Sequence, residues 1–321
     1  MRRRIFLAGL ICSCVVRSAF AQHSGKIWRV AYLNPGVVTA GGSSIYRDWL
    51  QRMGELGYVE GENLVVDLRY AEGDYSRLPQ LVHELIELKP DAMLAIATPA
   101  IAAAQRATTT VPIIMGPATD PVGSGFIKSL SRPGGNITGL ANMSGDYTSK
   151  TVELLRELLP QTRRIAVLMS SNSTHPMQYS LAETAAHNLG LETVPVTAAK
   201  EEDLDQAFQT IARAQCDALL VLNDPVRPRT ATLAFHARLP AVFQNEVLVS
   251  QGGLASYGPD VGSLIVQTAV YIDRIFKGAS PADLPVQQPT KFILKLNLKT
   301  AKELGLTIPL LLLARADEVI E

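Results

Sequence analysis

Residues 91–140 read DAMLAIATPAIAAAQRATTTVPIIMGPATDPVGSGFIKSLSRPGGNITGL and predict a βαβ unit. Two apolar runs, Ala92–Ile96 and 111–115, have the continuous hydrophobic character of buried parallel strands. Between them, residues 99–107 are rich in alanine, and Thr98 is a suitable N-cap for a helix with proline in its first turn. Polar residues follow each strand. In open α/β sheets this carboxyl edge is where ligands bind.

The alternation of strands and helices continues on both sides of this unit, as in a doubly wound α/β protein. Strands are predicted at 28–33, 64–70, 164–169, 192–196, 218–222 and 254–257, and helices at 44–56, 78–88, 148–159, 177–189, 201–213 and 261–277. The richest cluster of helix and strand breakers is RPGGN at 132–136, and a second α/β run follows it. We therefore predict a domain boundary near residues 140–145.

Composition excludes several classes of function. Hydrophobic residues make up 47% of the chain and charged residues 19%, which suits a globular protein with a sizeable core. Thirty basic and thirty acidic residues cancel, so the basic surface that nucleic acid requires is not expected. Five histidines and three cysteines are scattered without metal-ligand spacing, and no cofactor motif is present. We expect neither a metal nor a cofactor.

The N-terminus has the pattern of a signal peptide. Arg2–Arg4 precede an apolar stretch at 5–16 that is too short to span a bilayer, and Ala19-Phe20-Ala21 is an A-x-A cleavage signal. We expect cleavage after Ala21 and export to the periplasm. The motif RRIFL leaves the general secretory and twin-arginine routes both open, and Cys14 is a weaker candidate for lipid attachment. Cleavage leaves Cys216 alone, as an inert thiol at the start of a strand.

Polar residues at the predicted strand ends are the candidates for a ligand site. Thr98 can cap its helix or donate to a ligand carboxylate, and the two roles are compatible. Thr119 and Asp120 share the next strand-end loop, although Asp120-Pro121 also suits a simple turn. His175 reads as a loop histidine that is more often solvated than ligand-bound. No nucleophile elbow, zinc-protease motif or P-loop is present, so no catalytic residue is assigned.

The sequence also resembles a known family in four ordered blocks, which together span most of the chain after the leader. The blocks are TPAIAAAQRATTTVPII, DPVGSGFIKSLSRPGGNITGL, GGLASYGPD and PADLPVQQPTKFILKLNLKTAKELGLTIP. They are similar to the extracytoplasmic substrate-binding proteins of ABC importers, in the family that includes the tryptophan- and tyrosine-binding proteins. The resemblance implies two doubly wound parallel-sheet lobes of the type I periplasmic binding protein class, joined by a three-segment hinge.

On this resemblance, lobe 1 comprises residues 27–141 and 253–283, and lobe 2 comprises 142–252 and 284–321. The chain is expected to return to lobe 1 near Gly252 and to leave it near Pro285. The family also implies an aspartate at Asp224 as the counter-charge for a ligand ammonium group, although a turn cap before Pro225 is an equal alternative. The complete set of candidate ligand-binding residues is Asn34, Thr98, Ala100, Thr119, Asp120, Asn172, Asp224 and Glu246.

The leading hypothesis is a monomeric, periplasmic, non-enzymatic solute receptor that delivers a small ligand to an ABC permease in the inner membrane. The ligand is expected to be an amino acid or another carboxylate, with aromatic ligands included. Two alternatives remain. One is an exported α/β enzyme that uses Asp120 or Asp224 as acid or base, and the other is a ligand-sensing partner of a membrane receptor.

Overall fold

The chain forms two α/β lobes, each built around its own sheet. The computed structural model describes residues 25–37, 44–224, 227 and 229–321. The predicted signal peptide and Cys14 lie outside these residues. The strands are β1 Trp28–Asn34, β2 Leu64–Tyr70, β3 Ala92–Ile96, β4 Ile113–Ala118, β5 Ile137–Ala141, β6 Arg164–Met169, β7 Glu192–Thr197, β8 Ala218–Val221, β9 Ala241–Phe243, β10 Ala255–Pro259, β11 Phe292–Asn297 and β12 Glu318–Ile320. The helices are α1 Ser44–Glu55, α2 Leu78–Glu87, α3 Ala97–Ala107, α4 Ser144–Leu158, α5 His175–Asn188, α6 Leu204–Arg213, α7 Thr230–His236, α8 Val261–Phe276, α9 Leu298–Leu304 and α10 Leu310–Arg315.

Lobe 1 is a five-stranded parallel sheet in the order β2-β1-β3-β4-β5, with helices on both faces. The central strands β3 and β4 are buried along their whole length, as the continuous apolar runs of the sequence require. Helices α2 and α3 pack on one face, and α1 and α8 on the other. Trp49 of α1 is fully buried there and donates its indole N–H to Thr268 of α8, 3.1 Å away.

Lobe 2 is a seven-stranded sheet in the order β12-β11-β10-β9-β8-β6-β7. Its strands are parallel except at β10 and β11, which pair antiparallel. One face is covered by α4, α5, α9 and α10, and the other by α6 and α7. Both sheets are therefore doubly wound, and the predicted α/β fold with two parallel-sheet lobes is confirmed.

Three connections join the lobes. The first lies between β5 and α4. The second lies between β10 and α8, so the chain crosses after Pro259 and not near Gly252 as the sequence suggested, because β10 is hydrogen-bonded to β9 and β11 inside the lobe 2 sheet. The third passes Gln287, which bridges to Leu140 at the edge of lobe 1 before β11 begins at Phe292. Ligand-dependent hinge motion needs such connections at element ends.

Candidate functional site

A cavity of about 140 Å³ lies between the two lobes, at the carboxyl edges of their sheets. Its lining combines residues of lobe 1, including α8, with residues of lobe 2: Asn34, Ile45, Ile96, Ala97, Thr98, Gly116, Pro117, Thr119, Asn142, Asn172, Asn223, Asn245, Val261 and Ile265. Among these lining residues there is no acidic, basic or aromatic side chain. The site is an uncharged polar surface facing an aliphatic one.

Five asparagines supply most of the polar surface. Asn34 ends β1, and the other four, Asn142, Asn172, Asn223 and Asn245, follow β5, β6, β8 and β9 within one to three residues. Four of them accept a hydrogen bond from the backbone N–H two residues ahead: Asn34 from Gly36 at 2.8 Å, Asn142 from Ser144 at 3.1 Å, Asn172 from Thr174 at 3.1 Å and Asn245 from Val247 at 3.0 Å. These are Asx turns, which stop each strand and hold the amide at the cleft.

Thr98 and Thr119 link α3 to the end of β4. The hydroxyl oxygen of Thr98, which is 2% exposed, accepts a 3.0 Å hydrogen bond from the backbone N–H of Thr119. The hydroxyl of Thr119 in turn accepts from the amide of Asn142 at 3.0 Å. Thr98 is not the N-cap that the sequence predicts. Helix α3 begins one residue earlier, Ile96 occupies the cap position, and no side chain caps the helix.

One strained backbone position lies at this helix start, and another lies at the start of α4. Ala97, which lines the cavity, has φ +62°, in the left-handed region that costs a non-glycine residue about 1–2 kcal/mol. Met143, between β5 and α4, has φ +53°. Residues held in such conformations are found most often at ligand sites and switch regions.

Asp224 lies in a buried cluster beside the cavity, and it does not line the cavity itself. Its carboxylate accepts hydrogen bonds from Tyr75 of lobe 1 at 2.7 Å and from the hydroxyl of Ser170 at 2.5 Å. The buried guanidinium of Arg227 donates to backbone carbonyls, including those of Met169 and Ala198. Burial lowers the pKa of Arg227, whereas the negative charge of Asp224 opposes that shift. Asp224 therefore has hydrogen-bond donors and a nearby positive charge inside the protein.

His175 belongs to the same cluster and is fully buried, so the expected solvated loop histidine is wrong. Its Nδ1 accepts from the backbone N–H of Ser170 at 2.8 Å, which places the ring proton on Nε2. Nε2 lies 3.3 Å from the carbonyl oxygen of Asn223 and 3.9 Å from Asp224. Burial lowers the pKa of His175 to about 4, with the charge of Asp224 acting in the opposite direction.

Three further candidates lie away from the cavity. Ala100 is fully buried in the lobe 1 core. Asp120 is exposed and accepts from the backbone N–H of Gly123 at 2.9 Å, which is the turn role that the sequence also allowed. Glu246 lines a wider groove of about 800 Å³, which shares Ile45, Asn245 and Val261 with the cavity, and burial raises its pKa.

Within the described residues, no group of histidine, cysteine and acidic side chains could hold a metal ion. Likewise, no helix in the described part of the chain is long and apolar enough to cross a membrane.

Comparison with known proteins decides the family. Residues 43–320 match the ABC transporter substrate binding protein family. The chain belongs to this family. It is 28% identical over 267 residues to the tyrosine-binding protein of Clostridioides difficile strain R20291, covering 81% of this chain and 76% of that protein.

Two solved structures share the fold of this substrate-binding protein at appreciable identity. A conserved domain protein from Vibrio cholerae O1 biovar El Tor is 32% identical, with a TM-score of 0.82 over 92% of this chain and 100% of that one. An ABC domain from Streptococcus pneumoniae in complex with L-Trp is 29% identical, with a TM-score of 0.82 over 91% and 99% of the two chains. The predicted family and the type I periplasmic binding protein fold are thus confirmed.

Sequence reasoning missed several residues of the site. Asn142, Asn223 and Asn245 follow strands as Asn34 and Asn172 do, so the repeated asparagine after a strand end was the signal that could have found them. Tyr75 gave no local signal, because its partner comes from the other lobe.

Proposed function

We propose that this substrate-binding protein is the exported receptor of an ABC importer and that it binds a small organic carboxylate, amino acids included, in the interlobe cavity. The observation that carries the proposal is the cavity itself, which is lined by residues of both lobes. A ligand in this cavity contacts both lobes at once, and such contacts favour the closed arrangement of the lobes over the open one.

The route of delivery follows from this arrangement. The ligand binds to the polar strand ends of one lobe, the three connections bend, and the second lobe completes the site. A permease in the inner membrane then recognises the closed receptor, which acts as a monomer in the periplasm. The relatives support an amino acid or related ligand, since one is named for tyrosine binding and another holds L-Trp.

The enzymatic alternative has little support from the two carboxylates on which it relied. Asp120 is occupied in an exposed turn, and Asp224 is buried against protein partners. Neither carboxylate is among the residues that line the cavity.

A ligand screen tests the proposed function. Purified protein is heated with single amino acids, 2-oxo acids and aromatic acids, and hits are measured by titration calorimetry. A ligand at about 100 times its Kd adds roughly 2.7 kcal/mol to the free energy of unfolding. Mass spectrometry of the recovered ligand then separates binding from turnover. A chemically altered ligand, or no binding across the whole panel, would contradict the proposal.

A further inference from the structure

The orientation of the cavity asparagines is fixed by chemistry. A backbone N–H can only donate, so the side-chain atom that faces it in each Asx turn must be the amide oxygen. This fixes Asn34, Asn142, Asn172 and Asn245. The NH₂ of Asn245 then donates to Asn223 at 3.3 Å, so the oxygen of Asn223 is also occupied.

Because the amide oxygens of Asn172 and Asn223 accept from protein donors, these two side chains present their NH₂ groups to the cleft. The NH₂ groups of Asn172 and Asn223 have no protein acceptor among the described residues, and both residues line the cavity, whereas the side chain of Asn34 hydrogen-bonds the phenol of Tyr32. Asn172 is only 6% exposed, so its donors face the enclosed space between the lobes. The Thr98 hydroxyl oxygen already accepts from Thr119, which leaves its proton for a further acceptor.

The start of α3 adds backbone donors of the same kind. Its first N–H groups have no partner within the helix, and no side chain caps them. Ala97 and Thr98, its first two residues, both line the cavity. A helix N-terminus favours negative charge, here at a site that also holds unpartnered amide donors.

The interlobe cavity has few hydrogen-bond acceptors suited to a cation. No lining residue carries a carboxylate, and Asp224 directs its carboxylate to Tyr75 and Ser170. An ammonium group has three donors and no acceptor, so it would meet donors here. Burying such a charge without a partner is costly.

We propose that the ligand is a small carboxylate without an ammonium group, such as a 2-oxo acid with a branched aliphatic tail. This inference rests on the proposed function, since it names the ligand class of the same cavity. The carboxylate and oxo oxygens accept from Asn172, Asn223 and the start of α3. The aliphatic tail packs against Ile45, Ile96 and Ile265, among other apolar lining residues.

Cavity size agrees with a ligand of this kind. A cavity of about 150 Å³ accommodates benzene in a protein core, and the interlobe cavity measures about 140 Å³. This corresponds to roughly six to eight non-hydrogen atoms. The eight-atom pair of 3-methyl-2-oxobutanoate and L-valine differs only in whether C2 carries an oxo oxygen or an ammonium group.

Calorimetry with matched pairs tests the inference on the full-length mature protein. The first pair is 3-methyl-2-oxobutanoate and L-valine, which match the size of the cavity. The second pair is phenylpyruvate and L-phenylalanine, which bind only if the cleft widens to admit an aromatic ring. We expect the oxo acid to bind at least tenfold more tightly in the pair that fits. Tighter binding of the amino acid would overturn the inference and leave the proposed function standing. Failure of both pairs, together with the whole ligand screen, would overturn both.

An isosteric charge change sharpens the test. Asn172→Asp keeps an oxygen to accept from Thr174 but replaces the donor with a carboxylate oxygen. We expect it to weaken oxo-acid binding at least tenfold and to strengthen amino-acid binding. Asn223→Asp, which keeps an oxygen to accept from Asn245, should behave alike, and it covers the case in which the first variant fails to fold. The control is Asn188→Asp, on the exposed end of α5, which should change neither affinity. Unchanged oxo-acid affinity in both cavity variants would overturn the inference.

Discussion

The phenol oxygen of Tyr75 donates a 2.7 Å hydrogen bond to the carboxylate of Asp224, and this bond joins lobe 1 to lobe 2. The two residues are 149 positions apart in the chain. Burial and the charge of Asp224 raise the pKa of Tyr75, so the phenol stays protonated and remains a donor. The bond can form only when the lobes are together, and it therefore stabilises the closed arrangement.

Removing this donor should weaken ligand binding. Tyr75→Phe keeps the ring and deletes the hydroxyl, and a hydrogen bond to a charged group contributes about 1.5–3 kcal/mol. We expect Kd to rise about tenfold, because closure then depends on the ligand alone. Small-angle X-ray scattering of the ligand-free variant should show a larger radius of gyration than that of the wild type.

Tyr58→Phe is the matched control for this variant. Tyr58 donates to Asp273 at 3.0 Å, and both residues belong to lobe 1. Its loss should lower the free energy of unfolding and leave Kd unchanged. Equal affinities of wild type and Tyr75→Phe would show that the interlobe bond has no part in closure.

Asp224→Asn should lower stability and should affect all ligands alike. The carboxylate accepts from Tyr75 and Ser170, and its negative charge favours the charged form of the buried Arg227, so its neutralisation weakens both effects. A hydrogen bond to a charged group contributes about 1.5–3 kcal/mol, and urea unfolding can measure a loss of this size.

The ligand comparison is decisive for the role of Asp224. Calorimetry on Asp224→Asn should show the same fold loss of affinity for an amino acid and its des-amino analogue. A much larger loss for the amino acid alone would mean that the carboxylate contacts a ligand ammonium group, as the family resemblance implied.

The order of strands and helices was accessible from local sequence, whereas pairings between distant segments were not. Residues 91–140 specify β3, α3 and β4 by apolar runs and an alanine-rich helix, and the structure agrees within two or three residues at each end. The strand β10 was also found, but its membership of lobe 2 depends on hydrogen bonds to β9 and β11. A local pattern carries no information about such partners.

The same limit applies to the site. Asn34, Thr98, Thr119 and Asn172 were named because they follow strands or begin a helix, and all four line the cavity. His175 was misjudged, because its burial depends on packing that its own loop does not reveal.

Export is testable without a ligand. The A-x-A signal at Ala19–Ala21 predicts that the mature protein begins at Gln22. Intact mass and N-terminal sequencing of protein from the periplasmic fraction should give this terminus. An acylated N-terminal Cys14 would instead identify a lipoprotein.

Thr98→Val should reduce both stability and affinity. Valine removes the acceptor for the backbone N–H of Thr119, and an unpaired buried donor costs about 1–3 kcal/mol. Thr98→Ser keeps the hydroxyl and should retain most of both quantities, as measured by urea unfolding and calorimetry. If the valine variant kept full stability, the Thr119 N–H would have another partner.

Stability should fall as the pH is lowered through the range where His175 titrates. Burial lowers the pKa of His175 to about 4 in the folded protein, against about 6.5 for an unperturbed histidine. Between these values the unfolded chain binds a proton that the folded protein does not, so the free energy of unfolding decreases with falling pH. The contribution is fully present above pH 6.5 and is lost by about pH 4.

Urea unfolding between pH 4 and pH 7 measures this effect. A difference of about 2.5 pKa units corresponds to roughly 3 kcal/mol. In His175→Asn the amide oxygen can accept from Ser170 without titrating, so the variant should lose this part of the pH dependence. The control His187→Asn, at an exposed position on α5, should follow the wild-type curve. If His175→Asn and wild type showed the same slope, other groups would account for the acid sensitivity.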